Sequence, residues 1–288
     1  MNLSSNSLYH FTDSLDVLKK ILKDKFRGGY CKEIIHFKDE DYFMFVPKIS
    51  FCDIPLKTLS NYSSYGKYGI GMKKEWGIKK GLNPVLYIER NSNLIDSLKD
   101  AIFGSINVMN NNFLIMDNIS EKIKKLEAEE DLNSEKNDKE MKILKYEIDN
   151  SAEVLKSINY NIYSLYYIKH YEDELIRGGV SNPKYRFYDE REWCYIPKFD
   201  YLNSKIKKIE NDEEYKEWRN KSDSKPLIEY LELDFCHDDI EHIIVKNHDD
   251  VIEIVNFIKG INGKKISKIN KELLLTKITS FEKLECDY

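Results

Sequence analysis

A long stretch with helical periodicity lies in the middle of this sequence, between segments that have the patterns of β-strands. Over residues 91–167, apolar residues recur every three or four positions, as in Ile119, Ile123 and Leu126, which is the spacing of an amphipathic helix. The charged segment 127–139 interrupts this pattern and predicts the exposed turn of a helical hairpin. We therefore predict a single α+β domain over residues 1–288, with a mixed, mainly antiparallel sheet and a helical insertion at 91–167.

The flanking segments carry the signals of short strands and helices. Aromatic and β-branched residues favour extended structure, and proline and glycine mark the ends of regular elements. Strands are predicted at Leu8–Thr12, at Phe43–Phe51 with a break at Pro47, in the glycine-rich segment 65–81, at Pro84–Glu89, Phe187–Tyr195, Leu227–Phe235 and Glu241–Val245. Helices are predicted at Leu15–Lys23 behind an Asp13 or Ser14 cap, at Leu56–Tyr62 behind Asp53, at Glu213–Trp218 and at Asp249–Ile258.

The charge and cysteine content narrow the class of protein. Acidic residues outnumber Lys and Arg by 50 to 45, and the net charge of −5 argues against nucleic-acid binding through overall charge. A local basic patch for a nucleic-acid acceptor stays open. Five scattered cysteines without a CxxC pair fit a reducing cytoplasm. The N-terminus lacks the pattern of a signal peptide, and no segment approaches the roughly 20 apolar residues of a membrane span. We expect a cytoplasmic protein with no membrane partner.

The segment Phe187–Tyr195 combines aromatic residues with three carboxylates and an arginine. On a strand, alternate side chains share a face, so Glu190 and Glu192 would lie side by side. Two neighbouring carboxylates are unfavourable unless a cation or a shared proton accompanies them. The segment is therefore a candidate site, although an exposed acidic edge strand that resists aggregation would have the same sequence.

Three short motifs follow one another in an order that resembles the ADP-ribosyltransferase fold. They are Tyr9-His10-Phe11-Thr12, Ser50-Phe51 and Glu190-Arg191-Glu192. That group places a histidine or arginine on a first strand, a serine or threonine on a second, and a glutamate on a late strand. The resemblance implies a sheet of the ADP-ribosyltransferase type and a cofactor, NAD.

A closer resemblance covers most of the chain. The segments LYHFT, VPKISFCDIPL, YGKYGIGMKKEWGIKKGLNPVLYI and FYDEREWCYIP are similar to those of the AbiGi family of bacterial abortive-infection proteins. Cys194 departs from the arginine expected in that pattern. Membership implies a role in phage defence, and the family name treats its members as antitoxin-like partners of a nucleotidyltransferase toxin.

The transferase resemblance assigns roles to seven residues. Cleavage of the bond between ribose and nicotinamide develops positive charge on the sugar, which a carboxylate stabilises. Glu192 would be this carboxylate, and Glu190 would orient or deprotonate the acceptor. The remaining roles are cofactor binding, with His10 and Thr12 at the ribose, Ser50 bracing Glu192, and Lys73 and Lys74 at the pyrophosphate or a nucleic-acid acceptor.

Each assignment has a structural alternative. His10 between two aromatic residues is as expected for a hydrogen-bonded core residue, and a lysine run is usually a solvated face. The spacing of Cys236, His237, His242 and His248 matches no zinc pattern, so no metal site is expected. Two functions stay open: an NAD-dependent ADP-ribosyltransferase with an unknown acceptor, and a non-catalytic antitoxin or regulator that binds a partner protein or nucleic acid.

Overall fold

The structure is a computed structural model that describes residues 4–128, 135–177, 179–197, 206–221, 226–262 and 266–287. Its strands are β1 Ser7–Thr12, β2 Phe26–Arg27, β3 Gly29–His36, β4 Asp41–Cys52, β5 Tyr68–Lys73, β6 Asn83–Pro84, β7 Leu86–Ile88, β8 Ile168–His170, β9 Asp173–Arg177, β10 Val180–Tyr185, β11 Glu192–Tyr195, β12 Glu232–Leu233, β13 Ile240–Val245 and β14 Ile278–Ser280. Its α-helices are α1 Leu15–Lys23, α2 Lys74–Lys79, α3 Asn93–Ala128, α4 Glu135–Leu165, α5 Asp212–Arg219, α6 His248–Gly260, α7 Lys268–Leu275 and α8 Phe281–Asp287. Short 3-10 helices cover Leu56–Tyr65, Phe187–Glu190 and His237–Asp239.

The main sheet has the strand order β14-β13-β5-β1-β4-β11-β6, and β3 also pairs with β4. Every pairing in it is antiparallel except that of β13 with β14. Helices lie between these strands along the chain and after the last of them. The predicted α+β class with a mixed, mainly antiparallel sheet is therefore confirmed.

The two faces of this sheet have different surroundings. Tyr9 lies opposite Cys52, and Cys52 lies opposite Glu192, so these three side chains share one face. We call this face, which carries Tyr9, Cys52 and Glu192, the second face, and the opposite one the first face. Neighbouring residues in sequence, such as Phe51, point to the first face, where they pack against the large core cluster that includes residues of α1 and α6.

Strand β4 is continuous where a break was expected. Pro47 lies within the strand and opposite Tyr30 of β3. A proline cannot donate a hydrogen bond, but its fixed φ is compatible with extended structure, so only one ladder bond is lost. The continuity matters because it places Lys48 and Ser50 on the second face, in line with Cys52.

Helices α3 and α4 form an antiparallel pair that we call the helical arm. The arm begins after β7 and ends before β8, and these two strands pair in parallel, so the chain returns beside its starting point. At 36 residues, α3 is about 54 Å long. Residues near the base of the arm, such as Ile95, Ile102 and Leu165, pack on Ile35 and Met44 of the body. Both helices lie within the predicted segment 91–167. Only the ends of its predicted tip at 127–139 are described, because residues 129–134 lie outside the described ranges. The assignment of the whole chain to a single domain stays a prediction.

No helix in the described part of the chain is both long enough and apolar enough to cross a membrane. The arm helices have the length, but charged and polar side chains recur along them.

Helix α1 matches its predicted bounds, and the hydroxyl of its predicted cap Ser14 accepts a hydrogen bond from the Asp16 N–H. Several other elements differ from their predictions. The glycine-rich segment continues from β5 into helix α2, where a turn was expected. Leu227–Phe235 is extended in a ladder only at Glu232–Leu233. The carboxylate of Asp53, the predicted cap of the following helix, accepts hydrogen bonds from the Ser5 N–H and from Lys74.

Candidate functional site

A cluster of charged side chains is buried beside β4 and β11, on the second face of the main sheet. It contains Glu33 of β3, Lys48 of β4, Lys169 of β8, Glu190 of the 3-10 helix and Glu192 of β11, which we call the ion-pair network. The exposed fraction is only 6% for Lys48, 2% for Glu190 and 4% for Glu192. Charges removed from water to this extent are stable only when they are paired and hydrogen-bonded.

Lys48 lies between two carboxylates. Its Nζ is 2.7 Å from Oε1 of Glu33 and 2.8 Å from Oε1 of Glu192. Burial lowers the pKa of Lys48, but Glu192 and Glu33 outweigh burial and hold this pKa well above its usual value. Lys48 is therefore a permanent cation at the centre of the network.

Lys169 provides the second cation. Its Nζ lies 2.9 Å from Oε2 of Glu192 and 3.2 Å from Oε2 of Glu190. The same ammonium lies over the ring of Phe187, 4.4 Å from its centroid, which adds a cation–π contact. Lys169 thus joins the two glutamates that the sequence places two positions apart.

Glu192 has a partner at each carboxylate oxygen. Burial raises the pKa of Glu192, but Lys169, Lys48 and a hydrogen bond from the Ser50 hydroxyl outweigh it and hold this pKa well below its usual value. The backbone N–H of Glu192 donates to the hydroxyl oxygen of Tyr87 at 2.7 Å. Glu192 is therefore a charged and fully engaged carboxylate.

Glu190 has the opposite electrostatic state. Burial and the nearby charge of Glu192 raise the pKa of Glu190 to about 9, so its carboxyl group is neutral at pH 7. The Tyr65 hydroxyl donates a hydrogen bond to its Oε1. A neutral acid beside a charged carboxylate is the pattern in which two carboxyl groups divide the roles of acid and base.

The chain reaches this arrangement through a turn, and the predicted strand Phe187–Tyr195 is wrong in its first half. The Arg191 N–H donates to the Tyr188 carbonyl at 3.2 Å, and Arg191 adopts the left-handed conformation with φ 46°. Regular strand structure therefore begins only at Glu192. The turn buries Glu190 while Tyr188 stays 47% exposed, so these two side chains do not share a face, although alternate residues of a regular strand would.

The predicted transferase residues do not gather in one pocket. Ser50 and Glu192 meet on the second face, but His10 follows Tyr9 by one position and points to the first face, where it packs on Phe26 and Phe51. Thr12 shares the strand parity of His10. The expectation that β1 contributes to the glutamate site is therefore wrong, because the register of β1 with β4 turns His10 and Thr12 away from it. The predicted residues therefore do not share one face of the sheet, and their assignment to NAD stays a prediction.

The two predicted phosphate-binding lysines pair with other carboxylates. Lys74 lies 2.8 Å from Oδ2 of the buried Asp53, and Lys73 is 3.9 Å from Glu241 on the surface. These carboxylate partners are not members of the ion-pair network. The assignment of Lys73 and Lys74 to a pyrophosphate or a nucleic-acid acceptor stays a prediction.

The sequence contains a signal for both cations, although neither was among the predicted site residues. Lys48 is the one charged residue in FMFVPKISF, and Lys169 follows the apolar segment YYI. Lysine is almost never buried unless it is paired. A single lysine in a strand that is otherwise apolar therefore predicts a buried carboxylate partner, although not which carboxylate.

A cavity of about 390 Å³ lies apart from the network. It opens between the loop Glu89–Asn91 and the first residues after β8, with Tyr171, Asp173 and Lys184 in its wall. None of the five residues of the ion-pair network lines it. Glu190 and Glu192 therefore do not face this open volume.

Among the described residues, His36, His170 and Asp173 are close enough together to be considered as metal ligands. Three of the four ring nitrogens of His36 and His170 already have hydrogen-bond partners, however, and within the described part of the chain the buried Nδ1 of His170 has none. His36 reaches Asp41 through Nδ1 at 2.7 Å and Asp173 through Nε2 at 2.8 Å, and the His36 backbone N–H donates to Nε2 of His170 at 2.8 Å. A neutral imidazole has one acceptor nitrogen, so His170 has no second lone pair for a metal. The cluster acts as a hydrogen-bonded link between β3 and β8.

Comparison with known proteins finds a family whose matched range includes the ion-pair network. The family described as "Putative abortive phage resistance protein AbiGi, antitoxin" matches residues 24–246. The chain belongs to the AbiGi family. Within the matched range lie the whole ion-pair network and the helical arm, whereas β1, with His10 and Thr12, lies outside it.

A curated relative supports the same placement. The chain is 26% identical over 259 residues to "Abortive phage resistance protein AbiGi" of Lactococcus lactis subsp. cremoris, a match that covers 85% of this chain and 89% of the relative. No solved structure gives a significant match. The AbiGi resemblance predicted from the sequence is thus confirmed, and the ADP-ribosyltransferase type of the sheet stays a prediction.

Proposed function

We propose that this AbiGi-family chain acts in abortive-infection phage resistance as an antitoxin, which works by binding a partner toxin protein. The description of the family and the name of the Lactococcus relative support the role in phage resistance, and the family description supports the antitoxin role. The proposal places the function in recognition of a protein and assigns the ion-pair network to the framework that holds the recognition surface.

The observation that carries this proposal is the engagement of Glu192. A carboxylate that stabilises a sugar cation must present an oxygen to the substrate. Here Lys48 holds one oxygen at 2.8 Å and Lys169 holds the other at 2.9 Å. Substrate would have to displace two buried ion pairs, each of which is costly to break. A structural role for Glu192 requires no such rearrangement.

Co-expression with a toxin tests the proposal directly. A nucleotidyltransferase toxin from an AbiGi-type system is expressed in bacteria with and without this chain, and growth is measured. We expect this chain to restore growth and to co-purify with the toxin. The Glu190→Gln variant keeps a neutral side chain at its position and should restore growth equally well. Continued growth arrest, with both proteins soluble, would contradict the antitoxin role.

A second candidate function is ADP-ribosyl transfer from NAD, which one observation favours. Glu190 is neutral at pH 7 and Glu192 is charged, as expected for an acid–base pair. Release of nicotinamide from NAD by the purified chain, with and without added protein, DNA or RNA, tests it. Transfer predicts turnover that Glu192→Gln abolishes. Growth rescue by a chain without turnover would favour the antitoxin.

A further inference from the structure

Two stacked histidines connect the main sheet to the base of the helical arm. The rings of His36, at the end of β3, and His170, at the end of β8, lie 5.2 Å apart between centroids, with an interplanar angle of 26°. Strand β8 follows the arm in the chain and pairs in parallel with β7, which precedes the arm. A contact between these two histidines therefore holds the place where the arm joins the body.

This contact depends on a single lone pair of His170. The His36 backbone N–H donates to Nε2 of His170 at 2.8 Å, so Nε2 has the lone pair and a neutral ring has its hydrogen on Nδ1. His170 is only 5% exposed, and among the residues that the structure describes, its buried Nδ1 has no hydrogen-bond partner. The surroundings of His170 thus suit one tautomer of the neutral ring.

A proton added to His170 would remove the contact. The new N–H would be on Nε2 and would point at the N–H of His36, which has no lone pair to accept it. Burial lowers the pKa of His170, and His36 and Arg90 act in the same direction. Asp173 opposes them, but its carboxylate already lies 2.8 Å from Nε2 of His36. The charged form of His170 is therefore poorly accommodated in the folded chain.

A proton added to His36 has the opposite consequence. Its Nδ1 lies 2.7 Å from the Asp41 carboxylate, and its Nε2 lies 2.8 Å from that of Asp173. A neutral ring donates to only one of these carboxylates, whereas a charged ring donates to both. Acid therefore preserves the links of β3 to Asp41 and Asp173 while it removes the link of β3 to β8.

We propose that the His36–His170 pair is an acid-sensitive latch, in which protonation of His170 releases β8 from β3 and loosens the base of the helical arm. Lys169 precedes His170 on β8 and contacts both Glu190 and Glu192. Release of β8 would therefore reach the ion-pair network as well as the arm. The latch does not depend on the proposed antitoxin function.

The pH range of the latch follows from the sign of the pKa shift. An exposed His170 takes up a proton near the ordinary value of 6.5, whereas the folded ring does so only at lower pH. The open state therefore binds more protons than the closed state below pH 6.5. The latch is closed at pH 7, and its opening becomes up to about tenfold easier for each pH unit between 6.5 and the pKa of the folded ring.

Hydrogen exchange of the full chain measures this opening. Protection of the His36 amide and of residues 168–170 is compared at pH 7 and pH 5.5, after correction for the intrinsic effect of pH on exchange. We expect protection to fall several-fold, up to about tenfold, while that of β5 stays the same. In His170→Gln, the side-chain oxygen accepts a hydrogen bond without titrating, so this fall should disappear.

The matched control is His242→Gln. Burial also lowers the pKa of His242, but its Nδ1 bonds to the Tyr9 hydroxyl at 3.1 Å, away from the latch. This variant should keep the fall in protection at His36 and β8. A fall that His170→Gln leaves unchanged, or that His242→Gln removes equally, would overturn the proposal.

Nitrogen NMR of the wild-type rings tests the latch without any substitution, and so decides the question even if His170→Gln does not fold. At pH 7, His170 should have its hydrogen on Nδ1 and a lone pair on Nε2. A hydrogen on Nε2 at pH 7 would contradict the assigned contact. Wild-type protection that is equal at pH 7 and pH 5.5 would show that the latch does not open.

Discussion

The ion-pair network and the helical arm use the same charged residue types in opposite environments. In the network, Lys48 has an exposed side-chain fraction of 5% and touches two carboxylates. On the arm, Lys156 pairs with Glu153 at 3.3 Å while their side chains are 57% and 73% exposed. Water solvates Lys156 and Glu153 whether or not they pair. The buried Lys48 is shielded from water, so its charge is stabilised only by its carboxylate partners. An ion pair therefore matters to this fold according to its burial and not according to its distance.

The largest difference between the two regions is expected when a buried cation is removed. Lys48→Met keeps most of the side-chain volume but leaves Glu33 and Glu192 without their shared partner. We expect the free energy of unfolding to fall by about 3–5 kcal/mol, the usual cost of an uncompensated buried charge. Chemical denaturation measures this loss.

A surface substitution provides the control for this experiment. Lys38→Met breaks the pair of Lys38 with Asp96, which is 65% and 52% exposed, and should cost at most about 1 kcal/mol. If the two variants lost equal stability, the comparison between buried and exposed pairs would be wrong.

The two glutamates should respond differently to the same substitution. Glu192→Gln removes a charge on which Lys48 and Lys169 both depend, and we expect a loss of about 2–4 kcal/mol. Glu190→Gln replaces a carboxyl group that is already neutral at pH 7, so stability should stay the same or increase. Denaturation of both variants at pH 7 compares them, and a larger loss for Glu190→Gln would contradict the assigned charge states.

The raised pKa of Glu190 also predicts how stability depends on pH. The unfolded carboxyl titrates near its ordinary value of 4.5 and the folded one near about 9, so the folded state holds more protons between these values. Stability must then fall as pH rises toward 9. Between pH 7 and 9 we expect a loss of roughly 2 kcal/mol.

This interval avoids a competing effect. Burial lowers the pKa of His170 and of His242 below the ordinary value of 6.5, so neither ring titrates between pH 7 and 9. Glu190→Gln should flatten the slope measured by thermal or urea denaturation. A slope that the substitution leaves unchanged would assign the pH dependence to another group.

Local sequence patterns were sufficient to predict the arm but not the network. Helical spacing at Ile119, Ile123 and Leu126 is a property of one segment, and both arm helices lie within the predicted range. The faces of β1 and β11 follow instead from register, which is set by pairing between distant segments. Alternation along β4 places Ser50 on the same face as Cys52. Only the strand register shows that this is also the face of Glu192, because Tyr9 and Glu192 both lie opposite Cys52.

The position of Glu190 shows the same limit. The left-handed turn at Arg191 involves no glycine, and the Arg191 carbonyl accepts a hydrogen bond from the Asp53 N–H at 3.1 Å. A contact with a remote residue thus accompanies a conformation that the local sequence does not favour. Lys169, from a third segment, contacts both Glu190 and Glu192. The acidic segment predicted a cation or a shared proton beside the two glutamates, but its sequence could not indicate which segment supplies the cation.

The smallest effect is expected on the arm, and salt should distinguish it from the network. Lys156→Ala removes an exposed pair three residues apart on α4, which contributes at most about 0.5 kcal/mol. Because salt screens exposed charges much more than buried ones, this contribution should vanish near 1 M NaCl while the cost of Lys48→Met remains. Urea denaturation of both variants at low and high salt measures the two responses. A Lys48→Met cost that also vanished in salt would mean that water reaches the network, and the closed state of Glu192 that supports the antitoxin proposal would then be wrong.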